Sequence, residues 1–156
     1  MHPQTRPMAA VPETDPETVE DGDALQHLHD RITDALERFR VMADKAEASF
    51  RPVVRRFVTL HEMQATTVAG MLVARGWVDD LDGTLMGTVN RAVVAVRALF
   101  TGIDAGVLAS IRSGEAHVLA AFDRAIGAVV APDDATSLSA MRDDLVALLD
   151  DTRDLG

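Results

Sequence analysis

Cysteine is absent from this chain of 156 residues. Its absence excludes disulfide bonds, thiolate zinc sites, iron–sulfur clusters and cysteine nucleophiles, so any metal site must use histidine, aspartate or glutamate. Aromatic residues are also scarce, at 4% of the chain. No segment alternates β-branched and polar residues between turn signals, and the sequence therefore predicts an all-α protein.

The chain also lacks long apolar runs, and it has fewer basic than acidic residues. No segment has the uninterrupted apolar length of a membrane-spanning helix, and the N-terminal region lacks the apolar core of a signal peptide. The chain has 15 Lys and Arg against 25 Asp and Glu, for a net charge of −10. This charge repels phosphate backbones and anionic lipids, so we expect no nucleic-acid partner and no membrane partner. The lack of signal-peptide and membrane-spanning patterns makes a cytoplasmic location the simplest expectation.

The N-terminal region is rich in proline and acidic residues and has almost nothing apolar to bury. Prolines stand at Pro3, Pro7, Pro12 and Pro16. This composition is typical of disorder. We therefore expect a disordered acidic tail over residues 1–21, followed by one helical domain over residues 22–156.

Helical periodicity begins after the tail. Apolar residues at spacings of three and four predict a first helix from Asp23 to about Ala48, and Ser49 is expected to cap a second helix that has Pro52 in its first turn. Gly76 is the expected end of the second helix. Trp77 and Val78 then start a connector, "GWVDDLDG", and are expected to anchor it on the bundle.

Three further helices are predicted downstream. One starts at Thr84, the next is capped by Asp104 and ended by Pro132, and the last covers about residues 134–154. Glycines inside helices, such as Gly70 and Gly114, indicate close helix packing or a local bulge, and Gly114 is explained equally well as a glycine that the helix merely tolerates. The pattern predicts a four-helix bundle with an additional crossing helix in the connector.

Several segments resemble a bacterial family of unknown function that has a ferritin-like four-helix-bundle domain. The similar segments are "ITDALERFRVMADKAE", "MLVARG", "GTLMGTVNR", "LFTGID" and "SGEAHVLAAFDRAI". They follow one another in the same order as in the family, and the resemblance covers nearly all of the chain after the tail. The resemblance implies a ferritin-like bundle. It implies no activity, because the family has none established.

Ferritin-type di-iron chemistry requires two Glu-x-x-His motifs, which set two ligands on one inward helix face. No Glu or Asp in this chain has a His three residues later. Three polar residues nevertheless fall on apolar stripes: His61 and Gln64 in the second helix and Glu115 in the fourth. If these helices face each other, His61 and Glu115 form a buried hydrogen-bonded pair, completed by Glu62 or Gln64.

Two interpretations of this pair stay open. One is a reduced carboxylate–histidine site of His61, Glu62 and Glu115, which would bind iron or manganese and carry metal-handling or oxidative activity. The other is a polar interior that fixes helix register. We favour the second, with no cofactor, no catalytic residue and a non-enzymatic interaction or structural role exercised through a homo-oligomer or a protein partner.

Other polar residues give weaker signals. Asp23, His27 and Asp30 have spacings that catch a divalent ion, but a solvated helix face explains them as well. His29 and His117 are expected at the surface. The second helix also carries a short basic stripe and the last helix is acidic. A solvated surface is the ordinary explanation of these charges, and pairing within the bundle or between subunits is the alternative.

Overall fold

The computed structural model of the protein describes residues 16–77 and 105–155, and both ranges are dominated by α-helix. The helices are α1 (Pro16–Lys45), α2 (Arg51–Ala74), α3 (Leu108–Ala128) and α4 (Pro132–Asp151), with short 3₁₀ turns at Ala105–Val107 and Arg153–Leu155. Neither range contains a β-strand. The prediction of an all-α four-helix bundle is confirmed.

The helices form a ring in which α1 packs on α2 and α3, and α4 packs on α3 and α2. This order sets α2 diagonally opposite α3. Asp21 near the start of α1 bonds Arg75 just after α2, whereas Arg56 near the start of α2 bonds Asp151 at the end of α4. Consequently α1 and α4 run one way, α2 and α3 run the other way, and residues 78–104 connect the opposite ends of two parallel helices.

The predicted third helix from Thr84, the anchor at Val78 and the cap at Asp104 fall in this connection and lie outside the described residues. Among the described residues, no helix has the length and apolar character that crossing a membrane requires.

The predicted apolar stripes form the core. The apolar stripe that contains His61 and Gln64 is buried along α2 and at the residue before it: Phe50, Val54, Phe57, His61, Gln64, Val68 and Leu72. Stripes from the other three helices complete one continuous cluster, to which α1 contributes Leu25, Leu28, Ile32 and Phe39. Spacings of three and four residues align such side chains along one helix face, and this alignment allowed the inward faces to be predicted.

The first helix begins earlier than predicted. It starts at Pro16 rather than at Asp23, so residues 16–21 of the expected tail are helical. Proline suits the first turn of a helix, and acidic residues there interact favourably with the helix dipole. Asp21 is also 3% exposed, which is incompatible with a solvated tail. Residues 1–15 of the predicted tail lie outside the described residues.

Two other helix boundaries differ from the predictions. Phe50 rather than Ser49 is the residue that precedes α2, although Pro52 lies in the first turn as expected. Pro132 begins α4 instead of ending α3, because α3 already stops at Ala128. Gly76 adopts a left-handed φ of +79°, a conformation that glycine tolerates best, and so turns the chain after α2 as predicted.

Candidate functional site

His61 lies at the centre of the bundle and is fully buried. Its ring stacks on Phe39 of α1 with the centroids 5.7 Å apart, and Phe39 in turn stacks on Phe57. Gln64 and Glu115 are each 1% exposed. We call His61, Gln64 and Glu115 the polar centre.

The hydrogen bonds of the polar centre have a defined direction. Gln64 Nε2 donates to the main-chain carbonyl of Met141 on α4 at 3.0 Å. Because that carbonyl can only accept, the Gln64 amide is oriented with its oxygen toward His61 Nδ1, at 2.9 Å. An amide oxygen also only accepts, so Nδ1 carries a proton and donates it.

The other ring nitrogen bonds Glu115. His61 Nε2 and Glu115 Oε2 are 2.9 Å apart. Nδ1 is already protonated, and the bond between Nε2 and Oε2 needs one further proton. This proton is either on Nε2, which makes His61 an imidazolium, or on Oε2, which makes Glu115 a carboxylic acid. In both forms the pair has no net charge, which reduces the desolvation penalty of burying two titratable groups.

The polar centre touches every helix of the bundle. Its own residues lie on α2 and α3. It contacts α1 through the Phe39 ring and α4 through the Met141 carbonyl. The His61–Glu115 bond spans the diagonal between α2 and α3. A shift of α2, α3 or α4 along its axis would therefore break a hydrogen bond of the polar centre, whereas a shift of α1 would disturb the stacking of Phe39 on His61.

Glu62, the third predicted ligand, does not join His61 and Glu115. It follows His61 on α2 but points to a different side, where its side chain is half exposed and accepts from Arg40 Nη2 at 3.1 Å. This side faces a cleft of about 470 Å³ between α1 and α2. Among residues 16–77 and 105–155, no three His, Asp or Glu side chains come together as a metal site would need.

The weaker metal-site candidate at the start of α1, formed by Asp23, His27 and Asp30, is not brought together either. Asp23 is exposed, and Asp30 accepts from Gln26 Nε2 at 3.1 Å. The pKa of His27 is lowered, first by burial and then by the charges of Arg31 and Arg124. A histidine beside two guanidinium groups is a poor neighbour for a divalent cation.

The prediction that His29 lies at the surface is wrong, because the residue is buried. It is 5% exposed, its Nδ1 has no hydrogen-bond partner within residues 16–77 and 105–155, and burial lowers its pKa. Helical spacing explains the error, since His29 follows Leu28 at the edge of the apolar stripe and α2 covers that edge. His117 is exposed as expected.

Sequence reasoning missed a second polar group, which we call the end cluster: Asp21, Arg75 and Asp134. Arg75 bonds both oxygens of Asp21, and it bonds Asp134 at 2.6 Å. Asp21 also accepts from the main-chain nitrogen of Val130 at 3.2 Å. The end cluster thus joins the start of α1, the end of α2 and the α3–α4 turn.

A close backbone approach lies beside the end cluster. The Trp77 ring packs against Gly22 of α1 and occupies the space that a Cβ atom at Gly22 would need. Trp77 is therefore an anchor on the bundle, as expected. Close packing, one of the explanations predicted for Gly70 and Gly114, is not found among the described residues: there a Cβ at Gly70 would meet nothing within 4 Å, and one at Gly114 would meet only Arg38 at 3.9 Å.

The comparisons with known proteins add a family and no activity. A family model described as Domain of unknown function (DUF2383) matches residues 21–128. This range contains the polar centre and ends before α4. Comparison with curated proteins and with solved structures yields no significant match. Because the family model covers well over half of the chain, the protein belongs to the DUF2383 family, a domain family of unknown function.

Proposed function

We propose that this protein is a non-enzymatic helical bundle that acts as an interaction or structural protein and associates with itself. The observation that carries the proposal is that both ring nitrogens of His61 are hydrogen-bonded within the bundle. Nδ1 is bonded to Gln64 and Nε2 to Glu115. A histidine that binds a metal ion or transfers a proton to a substrate needs one ring nitrogen directed at that group.

Burial supports the same proposal. The side chain of His61 is 0% exposed and that of Glu115 is 2% exposed, so neither presents an atom to a substrate. The clefts between α1 and α2 and between α2 and α4 are lined by other residues. A buried network with its partners satisfied is well suited to fixing helix register.

The helix directions support a ferritin-like relationship. Ferritin-like bundles contain one long crossover connection. Here residues 78–104 join α2 to the parallel and diagonally opposite α3. This relationship concerns the fold and brings no metal chemistry with it.

A reduced metal–carboxylate site for iron or manganese, with metal-handling or oxidative activity, is the second candidate. It is favoured by the meeting of His61 and Glu115 at the bundle centre, where helical bundles hold their metal sites. It would require Nε2 to exchange its bond to Glu115 for a metal ion. It would also require Glu62 to leave Arg40 and turn inward, or another ligand to take its place.

Elemental analysis decides between the two candidates. The protein is expressed with iron and manganese supplied, beside the variants Glu115→Ala and Glu62→Gln, and the metal per chain is measured. The structural role predicts far less than one ion per chain in all three proteins. About one ion per chain in the wild type, lost in Glu115→Ala, would overturn it and support the metal site.

A further inference from the structure

The groove between α2 and α4 is lined by no residue of the polar centre or the end cluster. It is an open cleft of about 490 Å³. Met63 on its α2 side is 65% exposed, the largest exposed fraction among the large hydrophobic residues described. Leu60, Ala147 and Leu148 line the cleft beside it. An exposed methionine over an apolar floor is a common feature of protein-binding surfaces.

The two rims of this α2–α4 groove have opposite charge. Arg55 and Arg56 lie on the α2 rim, and Asp144 and Asp151 lie on the α4 rim. Arg56 and Asp151 bond each other across one end of the groove at 2.9 Å. Within the described ranges, no ion pair is formed by Arg55 or Asp144.

We propose that the α2–α4 groove is the surface through which two copies of this chain form a symmetric dimer. A two-fold axis along the groove sets α2 of each copy over α4 of the other, because rotation about that axis exchanges the two rims. Each arginine rim then faces an aspartate rim, and this happens twice. The exposed Met63 side chains are buried in the same interface.

The charge pattern selects a second copy over other partners. With a net charge of −10, the chain as a whole repels another copy of itself. A surface with one rim of each sign overcomes this repulsion only when the partner presents the reversed order, which a two-fold related copy does. A purely basic or purely acidic partner would match one rim and be repelled by the other.

The inference rests on the proposed self-association and names its surface, so the test must separate the two. Sedimentation equilibrium of the full chain gives the dimer dissociation constant for the wild type, Arg56→Asp, Asp151→Arg and the double variant. Arg56 and Asp151 lie level with each other across the groove, so the two-fold axis sets each of them opposite the other in the partner copy. Each single change sets like charges together and is expected to weaken the dimer at least about tenfold. The double variant restores the opposite rims and is expected to recover most of the affinity.

Arg153→Asp is the matched control, because Arg153 is also exposed but pairs with Asp150 away from the groove. It is expected to leave the dimer unchanged. A wild-type dimer that tolerates both single reversals would overturn the surface and leave self-association standing. A chain that stays monomeric up to about 1 mM would overturn both.

A second measurement tests whether the groove is open in the single chain. Because the protein has no cysteine, Met63→Cys introduces one thiol that a labelling reagent can follow. We expect fast labelling at concentrations where the protein is monomeric and slower labelling in the dimer. Slow labelling in the monomer would mean that another part of the chain, such as residues 78–104, covers the groove, and would overturn the proposal.

Discussion

The polar centre and the end cluster both join helices through buried acidic side chains, but they balance charge differently. In the polar centre one histidine faces one glutamate at 0% and 2% side-chain exposure, and the pair is neutral overall. In the end cluster one arginine faces two aspartates, and the exposures rise from 5% at Asp21 to 26% at Asp134. Deep burial thus requires charge balance, whereas a site near water tolerates an excess of negative charge.

The largest expected effect is at Glu115. Replacing Glu115 by Ala leaves His61 Nε2 buried without a partner, so the free energy of unfolding should fall by about 3 kcal/mol. Glu115→Gln is the matched control, because its amide can donate to Nε2 of a neutral His61 and should cost about 1 kcal/mol. Urea unfolding of both variants checks the difference, and equal losses would show that the hydrogen bond to Nε2 does not matter.

Salt should distinguish the end cluster from the polar centre. Arg75→Met removes the cation between Asp21 and Asp134 and should lower the free energy of unfolding by about 2 kcal/mol at low salt. Since the end cluster is partly exposed, this loss should shrink in about 1 M NaCl, whereas the loss in Glu115→Ala should not. Equal salt responses in the two variants would contradict the difference in burial on which the comparison rests.

Two glycine substitutions give the smallest effects, and their signs differ. Gly22→Ala forces the Trp77 ring to move and should destabilise the protein by about 1 kcal/mol. Gly70→Ala meets no atom within 4 Å and should stabilise it by up to about 1 kcal/mol, since alanine is the better helix former. Thermal unfolding separates the two. A stabilising Gly22→Ala would mean that Trp77 does not pack tightly on α1.

The same two regions show what the sequence could predict. His61, Gln64 and Glu115 interrupt apolar stripes at helical spacing, so their burial could be predicted from local patterns. The His61–Glu115 pairing could be predicted only on the condition that the two helices face each other. The orientation of Glu62 could not, because one step along a helix turns a side chain by about 100° and its partner Arg40 lies on another helix.

The end cluster escaped prediction for a different reason. Asp21 stands among prolines and acidic residues whose composition indicates a tail. It becomes part of the helix because Arg75, distant in sequence, reaches it in the folded bundle. The same holds for Gly22, whose close contact is made by Trp77 after α2. Local composition carries no information on such partners.

His61 and Glu115 are expected to stabilise the bundle by pairing with each other. A double-mutant cycle with His61→Ala, Glu115→Ala and the double variant, measured by urea unfolding with a chelator present, tests it most directly. We expect a coupling free energy of about 2 kcal/mol that does not depend on metal. Single effects that add within about 0.5 kcal/mol would contradict it, because two residues that act independently do not hold α2 and α3 in register.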